Sequence, residues 1–300
     1  MITIKRILPK CSRRYLMRKL SFLPDKIYLQ LFYFAACGKF INFKNPRGYN
    51  EKLQWMKIYD RHPEYTCLAD KIQVRKIVRD KLGVDCTIPL LGVWDNFDEI
   101  DFSQLPNEFV LKCSHDSGSA KIIDHWNSYT INEKKYLKEF YFERLQSDYY
   151  FAGREYNYQG LKPHIIAEPL MGTDEEKRIG IKDFKIYCFH GEPKLILIIT
   201  GRRAEKHEDF FDADFNWLPE IRNGYTSSSI CPPRPKCFET IMEYARILSK
   251  GIRHVRMDFY EIDGKVYFGE YTFNSGGGFE LFEPKEWERK IGDWIDLNKN

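Results

Sequence analysis

The amino-acid sequence predicts an α+β fold with antiparallel sheets. The first hundred residues carry mainly helical patterns, and short apolar strands begin at Glu108. Strands and helices then follow one another without the regular βαβ alternation that is typical of parallel sheets. The chain has 300 residues, of which 43% are hydrophobic and 30% charged, so it can form two lobes that each bury a hydrophobic core.

The first part of the chain, residues 1–105, is predicted to be mainly helical. Helical patterns cover residues 21–37, 50–61 and 68–82, and the last of these ends at Gly83. Asn50 followed by Glu51 is typical of a helix start. The acidic, turn-rich stretch 95–107 separates this part from the strands that follow.

Strands dominate the rest of the sequence. We predict strands at residues 108–114, 164–170, 183–190, 194–200, 253–261 and 265–273, and helices at 131–146 and 237–251. A polar Gly/Ser loop, residues 114–119, follows the first of these strands. His190-Gly191-Glu192-Pro193 is a turn signal, and Asp263-Gly264 joins the last two strands.

The last two strands carry two carboxylates whose relative position depends on the register. A two-residue loop at Asp263-Gly264 would put Asp258 on the face away from Glu270. A three-residue loop, which pairs Glu261 with Lys265, puts both carboxylates on one face. The apolar pattern favours the three-residue loop, because a slip of one residue turns every side chain to the other face. The apolar face would then hold Val255, Met257, Phe259, Tyr267, Tyr271 and Phe273, and the polar face His254, Arg256, Asp258, Glu270, Thr272 and Asn274.

These carboxylates predict a magnesium site. Asp258 and Glu270 would lie diagonally across the two strands, about 7–8 Å apart at the backbone and within reach of a shared cation. Two carboxylates beside Arg256 suit Mg²⁺, which binds proteins through one or two carboxylates together with substrate phosphates. By spacing alone, a solvated polar face on which the carboxylates pair with Arg256 fits equally well.

Two other strands carry charged residues that suit a phosphate ligand. Lys112 lies near the end of the strand 108–114, ahead of a loop rich in backbone N–H donors. Asp183 and Lys185 share one face of their strand, where they could serve a ribose hydroxyl and a phosphate or form an exposed salt bridge. The Gly-Lys-Ser/Thr order of a Walker loop is absent.

The order of these pieces resembles that of ATP-grasp enzymes. Four segments are similar to the TupA-like ATP-grasp family, which is associated with teichuronopeptide and capsular polysaccharide synthesis: YNEKLQWMKIYD at 49–60, ADK at 69–71, IPLLGVW at 88–94 and FGEYTF at 268–273. The resemblance spans residues 40–287 and implies a fold in which two α+β lobes with antiparallel sheets grip ATP. Residues 106–172 would form the lid and nucleotide lobe, and residues 173–300 the metal and catalytic lobe.

The resemblance also implies a role for each candidate residue. Lys112 would contact phosphate under a lid formed by Ser117, Gly118 and Ser119. Glu168 to Leu170, with Met171, would form the hinge against adenine. Further along the chain, Asp183 would contact the ribose, and Lys185 and Arg256 would contact the phosphates. Asp258 and Glu270 would bind Mg²⁺.

The third metal ligand stays open. Many ATP-grasp enzymes end with a Glu-x-Asn metal motif, whereas Thr272 stands here in the asparagine position. Asn274 lies two residues further on, on the same face, so either residue is a candidate ligand. The loop Ser275-Gly276-Gly277-Gly278 would lie beside the acceptor.

The function that follows from this resemblance is ATP-dependent carboxylate-amine ligation. ATP would phosphorylate a carboxylate, an amine would attack the acylphosphate, and the family association suggests a uronic acid as the carboxylate acceptor. Arg202 and Arg203 are candidates for binding phosphate or carboxylate, or are surface arginines. The alternative enzyme class is a metal-dependent glycosyltransferase, for which Asp212-Ala213-Asp214 offers an Asp-x-Asp motif. A non-catalytic nucleotide-binding protein is a third class, which the set Lys112, Asp258 and Glu270 disfavours.

Charge and cysteine content predict the location of the protein. A net charge of +4 without a basic stripe argues against nucleic acid as a partner. Seven basic residues and no acidic one lie between Met1 and Leu20, which predicts contact with an anionic membrane surface or, equally, a solvated basic helix. The eight cysteines show no zinc spacing, and no export signal is visible, so we expect reduced thiols and a cytoplasmic protein.

Overall fold

A computed structural model describes residues 20–298 of the chain. The basic segment predicted to contact a membrane, residues 1–20, therefore lies outside the described residues except for Leu20. All cysteines within the described residues are free. The fold is α+β with two antiparallel sheets, as predicted.

Helices make up most of residues 20–82. They are α1 (Asp25–Cys37), α2 (Tyr49–Tyr59), α3 (Glu64–Ala69) and α4 (Gln73–Leu82). Both α1 and α4 end at a glycine in the left-handed conformation, Gly38 and Gly83, because a residue without Cβ adopts it at little cost. The helical character predicted for this part of the chain is confirmed.

The smaller sheet has four strands, in the order β1-β4-β2-β3. They are β1 (Gly92–Trp94), β2 (Glu108–Cys113), β3 (Lys121–Asp124) and β4 (Ile165–Pro169). The helix α5 (Ile131–Leu145) packs Leu137 and Tyr141 against one face of this sheet. The short helix α6 (Tyr150–Gly153) precedes β4. The sequence did not predict β1 or β3, which are only three and four residues long.

The larger sheet has five strands, in the order β7-β6-β5-β8-β9. They are β5 (Asp183–Phe189), β6 (Glu192–Thr200), β7 (His207–Asp212), β8 (His254–Ile262) and β9 (Lys265–Thr272), and the remaining helices are α7 (Asp174–Ile179), α8 (Phe238–Ser249) and α9 (Lys285–Asp293). One face packs against α8 and α4. The other face packs against α2 and α9 through apolar side chains of β5, β6 and β7, and it also carries the polar side chains of Asp183, Lys185 and Asp258.

The register of the β8–β9 pair differs from the predicted one. The turn is a two-residue loop in which Asp263 and Gly264 have φ values of 50° and 70°, and Ile262 pairs with Lys265. The predicted three-residue loop is therefore wrong. A β-bulge leaves Gly269 unpaired, so that Asp258 lies directly opposite Glu270.

The bulge also explains which aromatic side chain enters the core. Phe268, which precedes the bulge, packs in the same core as Tyr271, which follows it, although they are three residues apart. The prediction that Tyr267 faces this core is wrong, because the alternation of faces changes phase at Gly269. Beyond the bulge, Asp258 and Glu270 share the polar face, as predicted.

Candidate functional site

The larger sheet turns a row of charged side chains towards its polar face. In the antiparallel register of β5 and β8, Lys185 lies opposite Asp258 and Tyr187 lies opposite Arg256. Asp183 is on the same face of β5, two residues before Lys185. Asp183, Lys185, Arg256 and Asp258 are all buried. Four charged groups buried on one sheet face are costly unless they are paired, and their pairing defines the site.

Asp258 is at the centre of this group. Arg256 donates to both carboxylate oxygens of Asp258, from Nε at 2.7 Å and from Nη2 at 2.7 Å, and Lys185 donates to Oδ2. Burial alone would raise the pKa of Asp258, but the charges of Arg256 and Lys185 outweigh it and lower that pKa below its usual value. Asp258 is therefore an ionised carboxylate that is held in a fixed position.

The carboxylate of Asp183 is paired with two positively charged side chains. The Lys185 ammonium lies 3.0 Å from Asp183 Oδ2, and the Arg202 guanidinium donates to the same oxygen. The other oxygen, Oδ1, is buried without a hydrogen-bond partner in the described structure. Because a buried carboxylate oxygen is costly to leave unpaired, Oδ1 is a ready acceptor for a hydroxyl group of a ligand.

Glu270 completes the group from β9. Thr272 Oγ1 lies 3.2 Å from Glu270 Oε1 and also accepts from Arg256 Nη2 at 3.2 Å. Arg256 Nη2 is 3.8 Å from Glu270, whose side chain is 36% exposed and is therefore accessible to a ligand. Asp258 and Glu270 thus form a directly paired set of carboxylates with one buried and one accessible member.

These residues fit a magnesium ion that is also held by phosphate. Within residues 20–298, no group of three or more His, Cys, Asp and Glu side chains is arranged to hold a metal by itself. Asp258 and Glu270 provide two neighbouring carboxylates, which is the number that Mg²⁺ commonly takes from a protein when substrate phosphates supply further oxygens. Asn274 is buried, and its Nδ2 lies 3.4 Å from Asn157 Oδ1.

The loop 114–119 has its carbonyl groups tied inward. Arg144 of α5 donates to the carbonyl oxygens of Gly118, at 2.8 Å, and Ser117, at 3.5 Å, and Lys71 donates to that of Asp116. In a planar trans peptide the C=O group and the following N–H group point in opposite directions. The N–H groups of Gly118 and Ser119 therefore point away from Arg144, and that of Ser117 points away from Lys71, as in a backbone site for an anion.

The inner side of this loop is held by a buried ion pair. Arg144 Nη1 donates to the carboxylate of Asp116, and the side chains of both residues are at most 5% exposed. Ser119 Oγ donates to Asp116 and accepts from the Cys113 N–H group at 2.8 Å. The Ser119 hydroxyl is thus used inside the loop, whereas Ser117 and Gly118 are exposed.

Lys112 and Glu168 face one another on the smaller sheet. Lys112 Nζ lies 2.6 Å from Glu168 Oε2, with side-chain exposures of 19% and 9%. The two residues lie on the adjacent strands β2 and β4, and Leu170 follows directly after β4, half-buried. The structure therefore brings the predicted phosphate lysine to the predicted hinge. It brings Arg202 to Asp183, whereas Arg203 is exposed and donates to the carbonyl group of Lys177.

Several contributors to the site carried no signal in the sequence. Arg256 Nη1 donates to Ser275 Oγ at 2.6 Å, and Ser275 Oγ donates to Glu280 Oε1 at 2.7 Å. Arg144 and Glu280 reach the site from distant parts of the chain. Only their buried hydrogen bonds reveal them, and no local spacing could have predicted these contacts.

The helix α2 fixes the glycine-rich loop that follows β9. Gln54 Nε2 donates to the Gly278 carbonyl at 2.8 Å, and Lys57 Nζ donates to the Gly277 carbonyl at 2.8 Å. Burial lowers the pKa of Lys57 to about 8. The segment 49–60, which carries the longest sequence motif, therefore supports the loop that begins next to Asn274.

The Asp-x-Asp tripeptide considered for a glycosyltransferase lies in a tight turn. The Asp212 carboxylate accepts from the N–H groups of Asp214, at 3.0 Å, and Asn216, at 2.8 Å. Phe211 and Phe215 stack on each other next to it, with ring centroids 4.2 Å apart. The tripeptide is thus explained by the local structure of the turn and by packing.

Comparison with known proteins finds a matching family model and several similar solved structures. A family model described as TupA-like ATPgrasp matches residues 51–296. One similar solved structure is a D-alanine–D-alanine ligase from Bacillus anthracis, with 17% identity and a TM-score of 0.42; the match covers 83% of this chain and 69% of that one. Another is the D-alanine–D-alanine ligase from Helicobacter pylori, with 15% identity, a TM-score of 0.43, and coverage of 83% of this chain and 70% of that one. A third is the ATP-grasp ligase PsnB in complex with a precursor variant, Mg and ADP, with 11% identity, a TM-score of 0.41, and coverage of 82% of this chain and 65% of that one. No curated protein matches the chain.

Proposed function

This chain belongs to the TupA-like ATP-grasp family, and on that premise we propose that it joins a carboxylate to an amine by way of an acylphosphate. Membership of the family makes it an ATP-dependent ligase. The observation that carries the proposal is the pairing of Asp258 with Glu270 beside Arg256 and Lys185 on one sheet face. Such a group combines oxygen ligands for a cation with positive charges for phosphate.

We assign the nucleotide to the space between the two sheets. Lys112 and the outward N–H groups of the loop 114–119 would bind the phosphates from the smaller sheet, and Asp183 Oδ1 would accept a ribose hydroxyl. Glu168 and Leu170 would line the adenine. Asp258 and Glu270 would hold Mg²⁺, with Asn274 or Thr272 as a further ligand. When bound, this ion supplies charge neutralisation between the phosphate groups.

The chain's own residues would act by positioning and by charge. A carboxylate oxygen of the acceptor attacks the γ-phosphorus of ATP, which gives an acylphosphate and ADP. The amine then attacks the acyl carbon, so that an amide forms and phosphate leaves. Arg256 and Lys185, both fixed by Asp258, would stabilise the negative charge on the transferred phosphoryl group. Arg202, which is half exposed next to Asp183, would orient the acceptor.

The acceptor and the location follow from the family resemblance. We propose that the carboxylate belongs to a uronic acid of a cell-surface polysaccharide, in the context of teichuronopeptide or capsule synthesis. We also propose a cytoplasmic enzyme at the inner face of the membrane. In the described part of the chain, no helix has the length and apolar character needed to cross a membrane.

Thermal stabilisation by nucleotides tests the proposal. A ligand that binds only the folded protein raises its melting temperature, so Mg-ATP should raise it and UDP-sugars should not. The variant Asp214→Asn should respond to Mg-ATP like the unmodified protein, because Asp214 lies in a turn away from the charged group. Stabilisation by UDP-sugars without a response to Mg-ATP would contradict the ligase and support the glycosyltransferase.

A further inference from the structure

One side of α1 exposes large apolar side chains that the rest of the described chain leaves uncovered. Ile27, Leu31 and Phe34 are 49%, 50% and 48% exposed and follow one another at helical spacing. Phe22 before the helix and Phe40 after it are 76% and 61% exposed. We call these five residues the α1 apolar face. The opposite side of the helix is buried in the protein through Tyr28, Leu29 and Tyr33.

The α1 apolar face is held in a fixed orientation. The buried Arg154 donates to the carbonyl groups of Leu20, Ser21 and Leu23, at 3.0, 3.2 and 3.3 Å. Gln30 forms two hydrogen bonds with the backbone of Ile41, both at 2.8 Å, which anchor the segment after the helix. The rings of Phe34 and Phe40 stack, with centroids 4.7 Å apart. These contacts hold both ends of α1, so its exposed side is a stable surface of the fold.

The charge of the surrounding sequence is strongly positive. The first fifty residues contain eleven lysines and arginines and a single acidic residue, Asp25. Asp25 is already paired, since it lies 2.6 Å from Arg61 and 3.7 Å from Arg154. Lys26 and Lys39 are exposed at the two ends of α1, and Lys39 lies 3.4 Å from the carboxylate of Glu51. An apolar surface framed by positive charge suits a partner that is apolar inside and negatively charged at its surface.

We propose that the α1 apolar face docks into the headgroup region of an anionic phospholipid membrane. Amphipathic helices bind membranes in this way, with apolar side chains at the acyl boundary and basic residues at the headgroups. A second copy of the chain is a poorer occupant, because its own positive charge would oppose the contact. The inference deepens the proposed location at the inner face of the membrane and rests on it, whereas ATP binding is independent of it.

Vesicle sedimentation tests the proposal on the full chain. Vesicles of phosphatidylcholine with phosphatidylglycerol should sediment the protein at low salt, and less of it at high salt. The variant Ile27→Ser/Leu31→Ser/Phe34→Ser should bind these vesicles at least about tenfold more weakly, because it removes the apolar contribution to binding. A control variant, Ile131→Ser/Phe142→Ser/Ile230→Ser, replaces three large apolar residues elsewhere that are more exposed than those of α1, and it should bind like the unmodified protein.

Several results would overturn the proposal. One is an unmodified protein that stays in the supernatant with anionic vesicles at low salt. Another is a triple variant of α1 that binds as well as the control, which would leave only the basic residues as the cause. A third is a variant without residues 1–19 that binds neutral vesicles although the full chain does not. In that case, residues 1–19 would be the occupant of the α1 apolar face in the full chain.

Two further measurements distinguish the alternatives. Self-association of the unmodified protein that the α1 variant abolishes, without vesicle binding, would make a second copy the occupant and overturn the proposal. Stabilisation by Mg-ATP, measured on every variant, shows that each is folded. Failure of that stabilisation in the unmodified protein contradicts the proposed function, whereas failure of vesicle binding alone contradicts only the membrane surface.

Discussion

Replacing Arg144 by leucine tests whether the ion pair behind the loop 114–119 supports ATP binding. Arg144 and Asp116 are at most 5% exposed, so the variant Arg144→Leu leaves a buried carboxylate without its cation. Removing one partner of a buried pair typically costs about 3–5 kcal/mol. Leucine keeps apolar contact with Phe140, over which the guanidinium lies at 4.6 Å, so the loss is mainly electrostatic.

Two companion variants give this magnitude a reference. Tyr141→Phe removes hydrogen bonds to the carbonyl groups of Leu111 and Ser119, at 2.7 and 3.2 Å, and should cost about 1–2 kcal/mol. Arg144→Leu/Asp116→Asn removes the uncompensated charge and should recover part of the stability lost in Arg144→Leu. Urea unfolding, followed by tryptophan fluorescence, measures the free energy of unfolding of each variant.

The same substitution should weaken ATP binding. Without Arg144, the carbonyl groups of Ser117 and Gly118 lose their inward partner, and the N–H groups lose their fixed outward direction. We expect the KM for ATP to rise about tenfold or more, since several charge-assisted hydrogen bonds to phosphate are affected. An Arg144→Leu variant with unchanged stability and unchanged KM would refute the reasoning. A double variant less stable than Arg144→Leu would also refute it.

Three further predictions concern the metal, its third ligand and the pH dependence of stability. Glu270→Gln should abolish ADP release while the protein stays folded, whereas the control Glu261→Gln on the same strand pair should still release ADP. ADP release by Glu270→Gln at nearly the rate of the unmodified protein would contradict the assignment of Glu270 as a metal ligand. Asn274→Ala should raise the Mg²⁺ concentration needed for half-maximal turnover more than Thr272→Ala does, and the reverse order would make Thr272 the ligand. Burial raises the pKa of Glu288 from 4.5 to about 7, so the folded chain binds this proton more tightly than the unfolded chain. The stability that Glu288 contributes is therefore fully present below pH 4.5 and is lost as the pH rises through about 7. The urea midpoint of unfolding, measured across this pH range, should fall less steeply with pH in Glu288→Gln than in the unmodified protein. An equally steep fall in both proteins would contradict the prediction.

The sequence predicted the charged face of the site through simple alternation. Lys185 and Asp183 lie two residues apart on β5, and Arg256 and Asp258 lie two residues apart on β8, so period-two spacing was enough to place each pair on one face. The roles assigned to these residues stay predictions. Their arrangement was predictable because it depends only on local strand geometry.

Features that depend on distant contacts or on backbone irregularity could not be predicted. The bulge at Gly269 has no signal in the sequence beyond a glycine in a strand, and the apolar pattern on its two sides favoured a wrong turn length. Arg144 lies 28 residues from its partner Asp116, on the side of a helix that reads as charged and exposed. Long-range pairing of this kind is settled by packing of the whole lobe.

The bulge at Gly269 lies between the tip of the hairpin and its charged face. A Cβ atom on Gly269 would lie 3.0 Å from the Asp258 carbonyl oxygen and 3.2 Å from the ring of Tyr260, so the irregularity is anchored by close backbone packing at this position. The tip at Asp263 and Gly264 is exposed and lies beyond it. A short peptide tag inserted at the tip would therefore leave the facing of Asp258 and Glu270 unchanged. The tip is therefore a suitable attachment point for a fluorescent label that leaves the charged face undisturbed.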